Sequence, residues 1–201
     1  MDFKAIIKDA LILFLITLVA GTALGFTNEV TKPLIADVRA EKANATYREV
    51  YPEAASFVEN EELTVKCAES AADLNGLGKV SVDNCLLAVD ASGNRLGYLV
   101  TASSDEGYGG TVQISVGISN DGTITGLGFL TINETPGLGM KAKEPAFRNQ
   151  FAGKKAAYPL SLIKTGTAGE SEVQAISGAT FTSTAVTNAL NAAVYFVENS
   201  L

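Results

Sequence analysis

Residues 10–28, ALILFLITLVAGTALGFTN, carry no charged side chain, and their apolar heart runs from residue 10 to residue 26. As a helix, that length just spans a hydrocarbon layer of roughly 30 Å. The pattern predicts one N-terminal transmembrane helix. A secretory signal is the next reading, with Lys4 and Lys8 as its basic end and Ala23-Leu24-Gly25 as a poor cleavage site. A buried helix of a soluble domain comes third, because no amphipathic partner for it follows. Positive charge belongs on the cytoplasmic side, but Asp2 and Asp9 offset Lys4 and Lys8, while Lys32, Arg39 and Lys42 lie on the other flank. Charge alone therefore sets the orientation only weakly.

Beyond this run the periodicity changes. Pro33 suits the first turn of a helix, and Leu34, Ile35, Val38, Ala45 and Val50 predict a helix over 34–50 that Pro52 ends. Residues 59–62 read as an acidic, solvated bend. Strand patterns occupy 63–67, 85–89 and 95–101, the last two joined through Ser92-Gly93-Asn94. TVQISVGI, 111–118, alternates strictly: Val112, Ile114, Val116 and Ile118 face one way, Thr111, Gln113, Ser115 and Gly117 the other. Asn120-Asp121-Gly122 turns the chain into a strand over 123–131. A short helix over 144–151, with Pro145 in its first turn, and short strands over 160–164 and 172–175 follow. A closing helix over 184–198 places Val186, Leu190, Val194 and Val197 on one face. The fold class is α+β: an antiparallel sheet flanked by helices, preceded by one transmembrane helix. The expected division is a tail over 1–9, an anchor over 10–28, a helical connector over 29–60 and a folded head over 61–201.

Composition then removes whole classes of function. The net charge of −7 leaves no basic stripe to neutralise phosphates, which argues against nucleic-acid binding. The 201 residues include no histidine, so Ser-His-Asp and Cys-His nucleophiles are excluded. Two cysteines without histidine cannot build an ordinary zinc or iron–sulfur site within the chain. Cys67 and Cys85 fit either a single disulfide in an oxidising compartment or two buried thiols. Any redox chemistry here requires an organic cofactor.

Three loops carry the remaining signal. GYGG, 107–110, leads into the alternating strand. ETPGLGMK, 134–141, lies between a strand and a helix. AISGATFTS, 175–183, precedes the closing helix. Glycines in the first two satisfy turns with positive φ, and GLG lacks the third glycine of a dinucleotide fingerprint. Yet Pro136, Gly137 and Gly139 make a stiff bend with bare backbone amides, able to lie along a planar ring. In the third loop one hydroxyl suffices to cap a helix. Ser177, Thr180, Thr182 and Ser183 crowd around Gly178 and Ala179 at a helix start, whose free amides and dipole favour a phosphate.

S-G-A-T-x-T-S resembles the flavin-attachment motif of the FMN-binding domain family, found in the G subunit of Rnf electron-transport complexes and the C subunit of sodium-pumping NADH:quinone reductases. GYGG, ETPGLG and SGATxTS occur here in the family's order, behind an N-terminal anchor, so the resemblance covers nearly the whole chain. The chain's short length is more similar to the Rnf subunit. Ile132 stands where many members carry a histidine, and no role is transferred to it.

The resemblance implies FMN joined through its phosphate to Thr180. Gly178 and Ala179 would let the phosphate approach, and Ser177, Thr182 and Ser183 would donate to it. Glu134, Thr135, Gly137 and Leu138 would lie along the ring, with Tyr108 nearby. It further implies a single-pass membrane subunit with its head outside the cytoplasm. That subunit would relay electrons among other subunits of a ferredoxin:NAD+ oxidoreductase that moves Na+ or H+. It would have no substrate site of its own, and a separate flavin transferase would load it. An extracytoplasmic binding module without covalent flavin, or a stand-alone extracellular flavin reductase, are the alternatives.

Overall fold

The computed structural model describes residues 3–71 and 73–201. It divides into two compact units, one up to Ala43 and one from Asn44 to Leu201. The head therefore begins earlier than the expected residue 61.

Helix α1 (Phe3–Val50) is continuous, and Pro33 lies inside it rather than in a first turn. Proline removes one backbone rung, but the helix-forming residues on both sides carry the helix across it. Within 6–50 an 18-residue window has a mean hydropathy of 2.2, and none of that window is buried in the protein. A buried helix of a soluble domain thus does not describe it. Polar atoms in this apolar stretch are satisfied locally. Thr17, Thr22 and Thr27 donate their hydroxyls to the carbonyls of Leu13, Leu18 and Ala23, at 3.0, 2.8 and 2.8 Å, as a hydrocarbon environment requires.

In the head, β1 (Ser56–Glu59), β2 (Val80–Val89), β3 (Arg95–Gly107), β4 (Gly110–Ser119) and β5 (Ile124–Thr131) form one sheet in sequential order. Every neighbouring pair is antiparallel. Among the described residues three α-helices follow α1: α2 (Glu61–Ser70), α3 (Pro145–Arg148) and α4 (Thr180–Ser200). A short parallel pair, β6 (Ser161–Ile163) with β7 (Glu172–Gln174), stands apart from the sheet.

The alternation of 111–118 orients the sheet as expected. Val112, Ile114 and Val116 are fully buried in a core that they share with Val100, Ala102 and Phe129, and with Ala185, Val186, Ala189 and Leu190 of α4. Alanines on that helix face let it approach the strands closely, and each large aliphatic side chain buried there contributes roughly 1.5–3 kcal/mol. The opposite face is not left to solvent. Val50 and Tyr51, at the end of α1, bury themselves there against Leu86, Leu99 and Ala88. They fit because the strands are floored with glycine: a Cβ at Gly117 would strike Thr125 and Tyr51, and one at Gly128 would strike Thr46 and Val50. Thr125 Oγ1 donates to the Val50 carbonyl at 2.8 Å, and the Tyr51 hydroxyl to the Leu96 carbonyl at 2.9 Å.

Four local expectations change. Residues 63–67 are helical, within α2, not a strand. Asn60 caps that helix by accepting from the amides of Glu62 and Leu63 at 2.8 and 3.3 Å, and Glu61 and Glu62 complement its dipole. Leu63 and Cys67, four residues apart, are on its buried face. The supposed acidic bend is the end of β1 and the start of α2. The connector is not helical throughout, because 56–59 pair with β2. Helix α4 starts at Thr180, four residues before the expected start.

Cys67 and Cys85 are free, buried thiols. Burial, reinforced by the Asp83 carboxylate, pushes Cys67 up to about 11. Burial, reinforced by neighbouring Cys67, pushes Cys85 up to about 12, both from an ordinary 9.0. Below pH 9 these thiols are protonated folded or unfolded and leave stability unchanged. Above it the unfolded thiols ionise while the folded ones stay protonated, so stability should fall as pH rises from 9 towards 12, by up to about 1.4 kcal/mol per pH unit and thiol. Chemical denaturation of detergent-solubilised protein at pH 8 and pH 10 tests this. A Cys67→Ala/Cys85→Ala variant should lose the slope, and native protein should resist iodoacetamide at pH 8.

Candidate functional site

The three glycine-bearing loops meet beside the start of α4. The first is the tip of the β3–β4 hairpin: Gly107 pairs with Gly110, and Tyr108-Gly109 makes the two-residue turn. Tyr108 is 77% exposed there. The second follows β5. Thr135 to Leu138 form a turn closed by the Leu138 amide on the Thr135 carbonyl at 3.1 Å. Pro136 and Gly137 fill its central positions, and Gly137 has φ +76°, the value a type II turn demands of its third residue. The third loop reaches α4 through Gly178, also at φ +76°.

These loops are locked by close contact. Glu134 is only 6% exposed, and its Oε1 accepts from the Gly109 amide at 3.3 Å. A Cβ at Gly109 would collide with the Asn133 carbonyl. One at Gly139 would collide with Thr182 Oγ1 and come within 2.7 Å of Glu134 Cβ. The glycines of GYGG and of ETPGLG are thus the surfaces along which the three loops touch, which ties the motifs to one another physically.

The crowd of hydroxyls resolves into two kinds. Ser183 is fully buried; its hydroxyl accepts from the Ile176 amide at 2.9 Å and donates to the Ala179 carbonyl at 3.0 Å. It pins the loop to the helix. No side chain caps α4: the N-cap residue is Ala179, and it makes no side-chain hydrogen bond. The first-turn amides therefore face outward without intrahelical partners. Among the described residues, no hydrogen bond engages the hydroxyls of Thr180 or Thr182. Thr180 is exposed and Thr182 is buried.

A cavity of about 320 Å³ lies where the loops converge, within the range of small-molecule sites. Tyr108, Glu134, Thr135 and Leu138 line one side; Gly178, Ala179, Thr180 and Thr182 line the other. Ser177, Gly137 and Ser183 are not on its wall; Gly137 shapes the turn behind it and Ser183 the helix start. Gly139, the second glycine of the stiff bend, and Phe181 also line it. Phe181 occupies the variable position of the third motif and is 69% exposed, so neither core periodicity nor motif identity flags it.

The donors present suit FMN. Uncapped amides and a free threonine hydroxyl meet the needs of a phosphate, and a cavity with apolar walls and a few polar edges suits a planar ring. Gly139 and Gly178 leave its floor bare.

Comparison with known proteins bears on the same residues. Residues 107–195 match the FMN-binding domain family, and residues 1–50 match the RnfG N-terminal region. The chain is 39% identical over 199 residues to the G subunit of the Na(+)-translocating ferredoxin:NAD(+) oxidoreductase complex of Acetobacterium woodii, covering 98% of this chain and 94% of that one. It is 36% identical over 198 residues to the G subunit of the ion-translocating oxidoreductase complex of Methanosarcina acetivorans, covering 98% and 97%. Its fold is similar to the crystal structure of Shewanella oneidensis NqrC, with a TM-score of 0.52 at 20% identity over 74% of this chain and 72% of that one.

Proposed function

The chain belongs to the G-subunit family of ion-translocating oxidoreductase complexes, and from that premise we propose that it is a membrane-anchored electron relay carrying FMN esterified to Thr180. The complex it serves is a ferredoxin:NAD+ oxidoreductase, and its neighbours are the other subunits of that Rnf-type assembly. The observation that carries the reading is the free, exposed Thr180 hydroxyl at an uncapped helix start, on the wall of a cavity that the three motifs build together.

FMN bound there supplies the electron-accepting and electron-donating chemistry. The chain's own residues position and shield it. Glu134, held by the Gly109 amide, presents a fixed carboxylate to the cavity, with Thr135 beside it. Leu138 and Tyr108 supply apolar walls. Thr182 offers its hydroxyl towards the phosphate, Ser177 lies off the cavity wall, and Ser183 holds the helix start in place. Loading requires a separate flavin transferase. The Thr180 oxygen attacks the flavin-side phosphorus of FAD, the bond to AMP breaks, the hydroxyl proton passes to a base on the transferase, and AMP leaves. A covalent tether suits a head outside the cytoplasm, where lost FMN is not replaced. On this reading 10–28 is the single membrane span, and the C-terminal domain lies on the extracytoplasmic side.

Intact mass of full-length protein from its native membrane tests the assignment. The expected increment is one FMN less one water, with flavin fluorescence persisting after denaturation, and protease added to spheroplasts should remove the head. A bare polypeptide with releasable flavin would favour a non-covalent binding module instead. A protected head would reverse the orientation.

A further inference from the structure

Thr180 and Phe181 stand on the walls of two cavities. Besides the one described, they line a second of about 440 Å³ with Lys79, Asp105, Glu106 and Thr184. Charge around Thr180 is unbalanced. Among the described residues the two walls carry three carboxylates, Asp105, Glu106 and Glu134, against one ammonium, Lys79. Neutral donors fix two of these carboxylates without discharging them. Asp105 Oδ1 accepts from the Thr111 hydroxyl, and Glu106 Oε2 accepts from Asn188 Nδ2, both at 2.6 Å. The Asp105 amide donates to the Lys79 carbonyl at 2.9 Å, which anchors this flank to β3. Beside it three large apolar side chains, Tyr108, Leu138 and Phe181, are left exposed. Exposed apolar side chains with a charged rim are the make-up of a protein-binding surface.

Resting on the attachment at Thr180, we propose that this face is the docking surface for the flavin transferase, and that Asp105 and Glu106 engage cationic side chains around the mouth of its active site. Two observations select this partner. The Thr180 hydroxyl lies on the shared wall of both cavities, so the enzyme that esterifies it must cover the rim of each. The net negative face also repels a free phosphate-bearing donor. FAD therefore reaches the threonine inside a protein that brings compensating cations. Lysine or arginine side chains opposite Asp105 and Glu106 steer that encounter and set its orientation. Phe181, exposed on the first turn of α4, is the apolar anchor.

The test uses full-length protein made without the transferase, held in a non-ionic detergent and loaded by purified transferase with FAD, with intact mass as the readout. Asp105→Asn/Glu106→Gln removes both charges and keeps both hydrogen bonds, since an amide oxygen still accepts from Thr111 and Asn188. At low salt its kcat/KM for loading should be about tenfold below wild type, the lower end of electrostatic steering, with kcat unchanged. At about 1 M salt, where the screening length is roughly 3 Å, wild type should fall to the level of the variant. Phe181→Ala should raise KM at either salt concentration. Equal kcat/KM for wild type and the double variant at low salt would overturn the docking surface, even where the loaded variant exchanges electrons more slowly with other subunits, a result that would assign the face to them. A loss confined to kcat, or a wild-type KM in Phe181→Ala, would overturn it as well. A wild-type chain that gains no mass overturns the attachment itself, and the docking surface with it.

Discussion

Thr180→Val should abolish covalent flavin completely and leave the fold unchanged. Valine has nearly the shape of threonine, and both are comparable helix formers. The substituted hydroxyl has no hydrogen-bond partner among the described residues, and residue 180 is exposed on the first turn of α4. Stability should therefore stay within about 0.5 kcal/mol of wild type. The ester, in contrast, is lost with this oxygen, because the neighbouring Thr182 and Ser183 hydroxyls are buried. Fluorescence of the denatured band should vanish, and the intact mass should be that of the bare chain. The contrast with Ser183→Ala sharpens the expectation. That hydroxyl holds the Ile176 amide and the Ala179 carbonyl, so its loss strands a buried donor at about 1–3 kcal/mol and loosens the helix start. Two hydroxyls three residues apart in one motif thus fail differently, one chemically and one structurally. A Thr180→Val protein that keeps flavin through denaturation would move the attachment elsewhere.

Much of the site is legible in the sequence because its residues are punctuation. Gly137 and Gly178 need positive φ, and small residues around a threonine leave a helix start uncovered. These demands are local, and a sequence states them. The sheet is legible for a related reason: strands β3, β4 and β5 join through short turns, so alternation and turn residues together set the register. What escapes depends on contacts distant in sequence. Gly117, Gly126 and Gly128 read as weak points in strands; their purpose is to admit Val50 and Thr46, some 70 to 80 residues earlier in the chain. The strand pattern of 63–67 conceals a helix because the deciding signal, the Asn60 cap, lies outside that short run. Asp105 and Glu106 have no motif to mark them, and only folding brings them to the cavity that Thr180 lines.

Gly139→Ala carries the second large effect, and it separates two roles that glycine plays within ETPGLG. At Gly137 a Cβ would meet open space, and the penalty is the left-handed backbone alone, about 1–2 kcal/mol. At Gly139 the Cβ has nowhere to go. It would meet Thr182 Oγ1, then Glu134 Cβ at 2.7 Å and Oε2 at 2.8 Å. A carboxylate tip can swing aside, but Glu134 Cβ moves only with its backbone, and that residue is tied to the hairpin tip through Gly109. Relief must open the cavity wall between the second loop and α4. Overpacking of this kind costs about 1–3 kcal/mol, or several degrees at roughly 2–4 °C per kcal/mol. Flavin load should fall further than stability does, because the displaced residues are those that line the cavity, whereas Gly137→Ala should lower the midpoint with much less loss of load. Intact mass and thermal melts of both full-length variants in detergent distinguish these outcomes. Equal loading of Gly139→Ala and wild type would show that the cavity does not depend on the contact between the second loop and the helix start.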